Sequence, residues 1–296
     1  MRAVIDIGSN SVLLLIGERR DDGLVRVCRD ECRITRLSEG ASASGKFSAK
    51  AMARTLAVLD EYAKICRSYQ LIPRVLATEG VRMASEPDQF LRPANEVLGT
   101  QVEVISGADE ARSSYVSVAL EVLPEVSHEE LRVLDIGGAS TELSVGRGHE
   151  YQDLISHPIG SVRLTEALLH HDPPTEQEMA KLEYTVREEF VKQPLAPFPK
   201  LYGLAGTVTT CAALILRLQQ YERTTIDASE FSFGQVLELR DQLAAETTAQ
   251  RQKRKCLEPG RADVIVAGAT ILVEAMRHCG ASILAVKDRG FRYAYL

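Results

Sequence analysis

The chain has 296 residues, 45% of them apolar and 26% charged, with a formal net charge of −6. That length suits one large or two ordinary domains of a soluble protein, and the acidic balance argues against a general nucleic-acid binder, whose affinity rests on Lys and Arg neutralising phosphates. No apolar run approaches the roughly 18 residues that a membrane span needs, and Met1-Arg2-Ala3-Val4 enters a strand pattern directly, without a signal peptide, so no membrane partner and a cytoplasmic address are expected.

The first element is a hairpin. Ala3-Val4-Ile5 and Val12 to Ile16 are short, β-branched runs flanking Asp6-Ile7-Gly8-Ser9-Asn10-Ser11. From Ser48, a helical pattern carries Met52, Leu56, Leu59, Ala63 and Cys66 on one face and leads to the strand pattern Arg74 to Thr78, which reads as a helix crossing back to a parallel strand. A further strand, Gln101 to Ile105, runs into Ser106-Gly107-Ala108-Asp109-Glu110-Ala111-Arg112. Tyr115, Val118, Ala119 and Val122 then form the apolar side of a helix, so Glu110 falls near a strand-to-helix junction. The polar stretch from Leu123 to Glu130 sets a domain boundary, giving domains 1–123 and 124–296.

The second half repeats the opening. Leu131 to Leu134 and Leu143-Ser144-Val145 flank Asp135-Ile136-Gly137-Gly138-Ala139-Ser140-Thr141, a second strand-turn-strand with the same Asp and Gly at the same places. Thr175-Glu176-Gln177-Glu178 is a capping box opening a helix with Met179, Leu182, Val186 and Phe190 on its buried stripe. Gly203-Leu204-Ala205-Gly206-Thr207 joins a strand to a helix whose N-terminus suits a further phosphate. Arg261-Ala262-Asp263 opens a long helix through Met276, and the strand Ile283 to Val286 leads to Gly290-Phe291-Arg292.

Turns of this kind leave backbone N–H groups without ladder partners, and Gly lets a ligand approach closely; convergent N–H groups suit a phosphate oxyanion. An Asp at the end of each leading strand repels phosphate directly, which assigns Asp6 and Asp135 to a hydrated divalent cation bridging to it. Taken singly, each loop also reads as an ordinary hairpin with Asp as a turn former. Two matching copies favour the phosphate reading. The six cysteines include no Cys-x-x-Cys and read as reduced thiols. The basic run of Arg251, Lys253, Arg254 and Lys255 reads as a solvated face or as a rim guiding a polyanion, and His170-His171 lack the partners of a metal site.

Together these loops resemble the actin/hexokinase/Hsp70 superfamily. More specifically, the chain resembles the exopolyphosphatase/guanosine pentaphosphate phosphohydrolase (Ppx/GppA) family. The resemblance rests on the two Asp-Ile-Gly loops, Ala77-Thr78-Glu79-Gly80-Val81-Arg82, Ile105 to Arg112, Pro158-Ile159-Gly160-Ser161-Val162-Arg163-Leu164, Gly203 to Thr207 and Arg261-Ala262-Asp263. It implies two actin-like (ribonuclease H-like) α/β domains with an interdomain active-site cleft. The HD-type motif of longer relatives has no counterpart, so no C-terminal HD-type domain is expected, and short-chain polyphosphate is the expected substrate.

By motif, Glu110 matches the family's catalytic base and Asp135 and Glu142 its metal-associated carboxylates, with Asp6 beside them. Arg82 matches the phosphate-contacting arginine. Gly8, Ser9, Asn10 and Ser11 match the first phosphate site, Gly137, Gly138, Ser140 and Thr141 the second, and Gly206 and Thr207 lie in the third element. Each residue also has a plainer reading. Glu110 is an ordinary acid of a helix's first turn, Glu142 faces solvent, Arg82 pairs with Glu79 one turn earlier, and Arg112 chooses between phosphate and Asp109. The resemblance implies a Mg²⁺- or Mn²⁺-dependent exopolyphosphatase. A guanosine pentaphosphate 5′-phosphohydrolase and a non-catalytic nucleotide- or polyphosphate-binding regulator are the alternatives, and a small-molecule kinase lacks its purine and sugar signatures. A homodimer is the expected assembly. Ala139 stands where the family has a third Gly, and the Gly203 to Thr207 element is poorer in Gly than the family's.

Overall fold

A computed structural model of the chain describes residues 1–20, 25–126, 130–148 and 150–296. Strands β1 (Arg2–Ile7), β2 (Ser11–Arg19), β3 (Val25–Ile34), β4 (Arg74–Ala77) and β5 (Val102–Val104) form one sheet, in the order β3-β2-β1-β4-β5. The second sheet contains β6 (Glu130–Ile136), β7 (Thr141–Arg147), β8 (Glu150–His157), β9 (Lys200–Leu204), β10 (Glu230–Ser232) and β11 (Ile283–Val286), in the order β10-β11-β9-β6-β7-β8. Apart from the extra antiparallel edge strand β10, the two orders are the same. Each sheet has an antiparallel three-strand ribbon followed by parallel strands. Even the irregularity repeats, because the middle strand of each ribbon shifts register at a glycine, Gly17 in one and Gly146 in the other. A Cβ on either would press on a neighbouring backbone carbonyl at 2.7 Å (Arg26) or 2.5 Å (Glu150).

Both predicted hairpins form. The predicted helix after Ser48 spans Ala49–Ser68, with the Ser48 hydroxyl accepting from the Ala51 N–H, and the Thr175 capping box opens the helix Glu176–Phe190. The helix predicted from Arg261 starts later, at Ile265, after a short 3₁₀ turn at Pro259–Arg261. The boundary predicted in the stretch 123–130 runs through residues 127–129, which lie outside the described residues. Strand β3 has no counterpart in the sequence reading. Its run Val-Arg-Val-Cys-Arg-Asp-Glu-Cys-Arg-Ile lies at a sheet edge with mostly half-exposed or exposed side chains, so no apolar alternation marks it.

Two segments cross between the halves. The helix Gly107–Val126 follows β5 yet buries Tyr115, Val118, Ala119 and Val122 against Leu131, Val133, Tyr202, Leu204 and Ala285 of the second sheet. In return, the final turn Phe291–Tyr295 leaves the second half and packs Phe291, Tyr293 and Leu296 on Val4, Leu15, Leu76 and Ile105 of the first. Glu110, in the first turn of the crossing helix, and Arg292, in the returning turn, are thereby delivered to the junction.

Candidate active site

The two hairpin turns are built alike. Gly8 donates its N–H to the Ser11 carbonyl and Gly137 to the Ser140 carbonyl, each at 2.9 Å. In both, the loop carbonyls are taken into the fold. Ser38 donates to Ser9, and Thr35 and Arg36 donate to Asn10, while Ser161 donates to Gly137 and Val162 and Arg163 donate to Gly138. Since N–H and C=O point oppositely across a trans peptide, the N–H groups of Asn10 and Gly138 turn the other way. The loops face each other at close range, and a Cβ on Gly138 would stand 3.0 Å from that of Ser9.

Between them lies a cavity of about 470 Å³ whose walls include Asp6, Ser9, Asn10, Ser11, Thr78, Glu110, Asp135, Gly137, Gly138, Gly206 and Thr207. Most of the predicted site residues thus meet there. Glu142 stands just behind. It pairs across strands with Asp135, is fully buried rather than solvent-facing, and accepts from the Ser156 hydroxyl at 2.7 Å. In the first hairpin the position facing Asp6 is Leu13, so only the second hairpin carries a double carboxylate.

Other predicted residues do different work. The Thr141 hydroxyl is spent on the Ile159 carbonyl, 2.7 Å away inside the fold, and Ser140 is directed to Glu142. Gly8 acts through its turn hydrogen bond rather than the cavity wall. Arg82 pairs with Glu79 as in its plainer reading, with Nη2 2.6 Å away, and its Nη1 stands 3.5 Å from Glu110. Arg112 is not held by Asp109: it lies over the Tyr151 ring at 5.2 Å, while Asp109 accepts from Ser106. Arg251 is buried, donating to the Leu243 carbonyl and pairing with Asp172, and Arg254 pairs with Glu246, so these two members of the basic run form no guiding rim. His171 is held by Glu178 at 2.9 Å.

Four buried carboxylates, Asp6, Glu110, Asp135 and Glu142, set the electrostatics. Burial pushes Asp6 up to about 7, opposed by Arg292 and reinforced by Asp135. Glu110 is raised well above the carboxylate range, first by burial and then by Glu142, Asp135 and Asp6, with Arg82 pulling it down. Asp135 is raised by burial against the Ser114 hydroxyl, which donates to it at 2.6 Å, and against Arg292. Glu142 is raised by burial and then by Asp135. Asp6 Oδ1, Glu110 Oε2 and Glu142 Oε2 are buried without a hydrogen-bond partner, a state that costs free energy until a proton or cation meets it.

Among the described residues no three acidic, imidazole or thiol side chains close on one point as a finished metal cage. The unmatched oxygens around an open cavity fit a hard cation that keeps several waters and takes few protein ligands, as Mg²⁺ does. Further cavity residues were given no place in the site by the sequence: Asp30, Glu31 and Cys32 of β3, Tyr221, Arg223, Glu258, Arg261 and Arg292. Only Arg261 and Arg292 lay in segments already noted. A Cβ on Gly206 would meet the Arg261 guanidinium, so the two approach closely at this point of the wall.

A two-sheet α/β fold with a phosphate-type turn from each half and buried acids between them defines a phosphoryl-processing enzyme of the actin-like class. The Ppx/GppA phosphatase family model matches residues 15–294. Exopolyphosphatase 2 of Mycobacterium tuberculosis is 36% identical over 288 residues, covering 93% of this chain and 89% of the relative. A guanosine-5′-triphosphate,3′-diphosphate pyrophosphatase of Aliivibrio fischeri is 33% identical over 73% of this chain and 44% of its own length. The crystal structure of the Aquifex aeolicus Ppx/GppA family member superposes with a TM-score of 0.82 at 33% identity, covering 99% of this chain and 95% of that one. The chain belongs to the Ppx/GppA phosphatase family and is a hydrolase of phosphoanhydride bonds.

Proposed function

We propose that the chain is a metal-dependent exopolyphosphatase that releases terminal orthophosphate from short-chain inorganic polyphosphate by in-line attack of water. The observation that carries this reading is the set of four buried carboxylates between two matching phosphate turns. The turns grip phosphate oxygens through backbone N–H groups. Glu110 orients the attacking water and takes its proton. Arg82, 3.5 Å from Glu110, favours the ionised form that a base needs. Asp135 and Asp6, with Glu142 behind, would hold a Mg²⁺ or Mn²⁺ ion, which when bound would supply positive charge to the phosphate oxygens and offset the repulsion among the acids.

Short substrates are favoured by the charge of the walls. Arg223, Arg261 and Arg292 face Asp6, Asp30, Glu31, Glu110, Asp135, Glu258 and Asp288, and a long bare polyanion finds little attraction there. A guanosine pentaphosphate 5′-phosphohydrolase is the second reading. It is favoured by the size of the cavity, which falls in the range of roughly 300–1,000 Å³ that holds organic ligands, and by a wall that continues past the turns to Leu13, Cys32, Tyr221 and Cys256.

The test is phosphate release from tripolyphosphate, long polyphosphate and guanosine pentaphosphate, with and without Mg²⁺, by the wild type and Glu110→Gln. The substitution should lower kcat by about 10²–10⁴-fold with substrate binding kept. Undiminished turnover removes Glu110 from the role of base, and preference for the nucleotide selects the second reading.

A further inference from the structure

Glu79 opens the short helix Glu79–Arg82 at the end of β4, next to Thr78 of the cavity wall. The helix lies hard against the first turn, since a Cβ on Gly80 would stand 2.5 Å from the Ser9 hydroxyl. The Glu79 carboxylate takes an arginine from each half of the molecule. Oε2 accepts from Arg82, 3.0 Å from Nε and 2.6 Å from Nη2, and Oε1 accepts from Arg163 Nη2 at 3.3 Å. Arg163 belongs to the second turn: its backbone N–H donates to the Gly138 carbonyl at 3.0 Å, and its Nη1 to the Pro158 carbonyl at 2.8 Å. With one edge of its guanidinium on Glu79, Arg82 turns Nη1 to the Ile105 carbonyl and to Glu110 Oε2, 3.5 Å away. That oxygen of Glu110 has no hydrogen-bond partner among the described residues, so the charge of Arg82 is what faces it.

We propose that Glu79 is a positioning residue for the hydrolysis: it fixes Arg82 against the base Glu110, and through Arg163 it ties that pose to the second turn. The competing reading is a helix pair of the ordinary i,i+3 kind, which adds little. Such a pair accounts for the Arg82 contact. It gives no reason for a second arginine to reach the same carboxylate from the other half, nor for all three side chains to be largely buried, at 16%, 22% and 18% exposure for Glu79, Arg82 and Arg163. A carboxylate along the edge of a guanidinium fixes both its plane and its direction. Without the Glu79 charge the two arginines would repel each other, and Arg82 would leave its place beside Glu110. The proposal rests on the phosphohydrolase reading above.

The experiment measures kcat, KM and Tm with Mg²⁺ and whichever of tripolyphosphate and guanosine pentaphosphate the wild type cleaves faster. It compares the wild type with Glu79→Gln, Arg163→Gln and Arg82→Gln, and with Glu79→Gln and Arg163→Gln each combined with Arg82→Gln. Glu79→Gln and Arg163→Gln should each lower kcat by roughly 5–50-fold with KM kept within about twofold. Neither should lower kcat further once Arg82 is replaced, because each acts through it. A merely structural pair would lower Tm in either background and leave kcat alone. Wild-type kcat in Glu79→Gln, or the same loss repeated in the Arg82→Gln background, would overturn the proposal, and wild-type kcat in Arg163→Gln would overturn the tie to the second turn. If Glu79→Gln does not fold, Arg163→Gln, alone and with Arg82→Gln, carries the comparison. An active wild type with unaffected variants overturns this proposal alone; a wild type that releases phosphate from neither substrate overturns the hydrolase reading and this proposal with it.

Discussion

The buried acids make the metal-free protein sensitive to pH in an unusual direction. Asp6 is held at about 7 in the folded chain against an ordinary 3.8, so the folded state binds this proton more tightly than the unfolded one. A raised carboxylate contributes stability that is fully present below the unfolded value and is lost as pH rises through the folded value. The window is therefore about pH 4 to 7. A difference of about 3 units corresponds to about 4 kcal/mol, an upper bound because water in an open cavity screens the charge. Glu110, Asp135 and Glu142 move the same way but share their protons, so their contributions are not added. The perturbation is Asp6→Asn, which removes this titration. In chelator, thermal unfolding should give similar Tm values for the two proteins near pH 4.5. At pH 8 the variant should be the more stable, by about 2–4 kcal/mol or about 3–6 °C. Mg²⁺ at pH 8 should then raise the wild-type Tm more than the variant's. A Tm difference that stays the same from pH 4.5 to 8 would refute the reasoning.

The remaining predictions use other parts of the same structure. Arg82→Gln removes the charge that lowers Glu110; because the base must be ionised, the acid limb of the kcat/KM profile should move to higher pH, and an unmoved limb counts against Glu110 as the titrating base. In Gly160→Ala the new Cβ would lie 2.5 Å from backbone atoms of Gly138 and Ala139, which cannot yield as a side-chain tip can. Displacement of the second turn should cost about 1–3 kcal/mol in urea unfolding and depress phosphate release more than tenfold. Ala205 opens its helix at φ 69°, a region that costs a non-glycine residue about 1–2 kcal/mol. Ala205→Gly should be neutral to stabilising by up to about 1 kcal/mol after glycine's entropic cost, and a clear destabilisation would contradict that account.

The repeated Asp-Ile-Gly turns were legible because a tight turn between short aliphatic strands is a local matter, decided by residues next to one another in the chain. The same holds for the Thr175 capping box, the Ser48 cap and the position of Glu110 at the start of a helix. The family motifs, lying in order along the chain, fixed the two-sheet fold and the class of chemistry. What remained hidden depended on packing between residues far apart in sequence. Strand β3 carries no strand signal because its side chains are charged on both faces, and only pairing to β2 makes it a strand. Glu142 reads equally well as a solvent-facing acid until the helix Gly107–Val126 and strand β8 close over it. Asp6, Glu110 and Asp135 become one electrostatic unit only because that helix crosses to the second sheet, and Arg292 joins them because the final turn crosses back. Sequence determined which groups stand in the two turns and at the start of the crossing helix. The two crossings determined which of them share a low-dielectric space, where burial and mutual repulsion shift their protons and leave oxygens that a proton or a cation would meet.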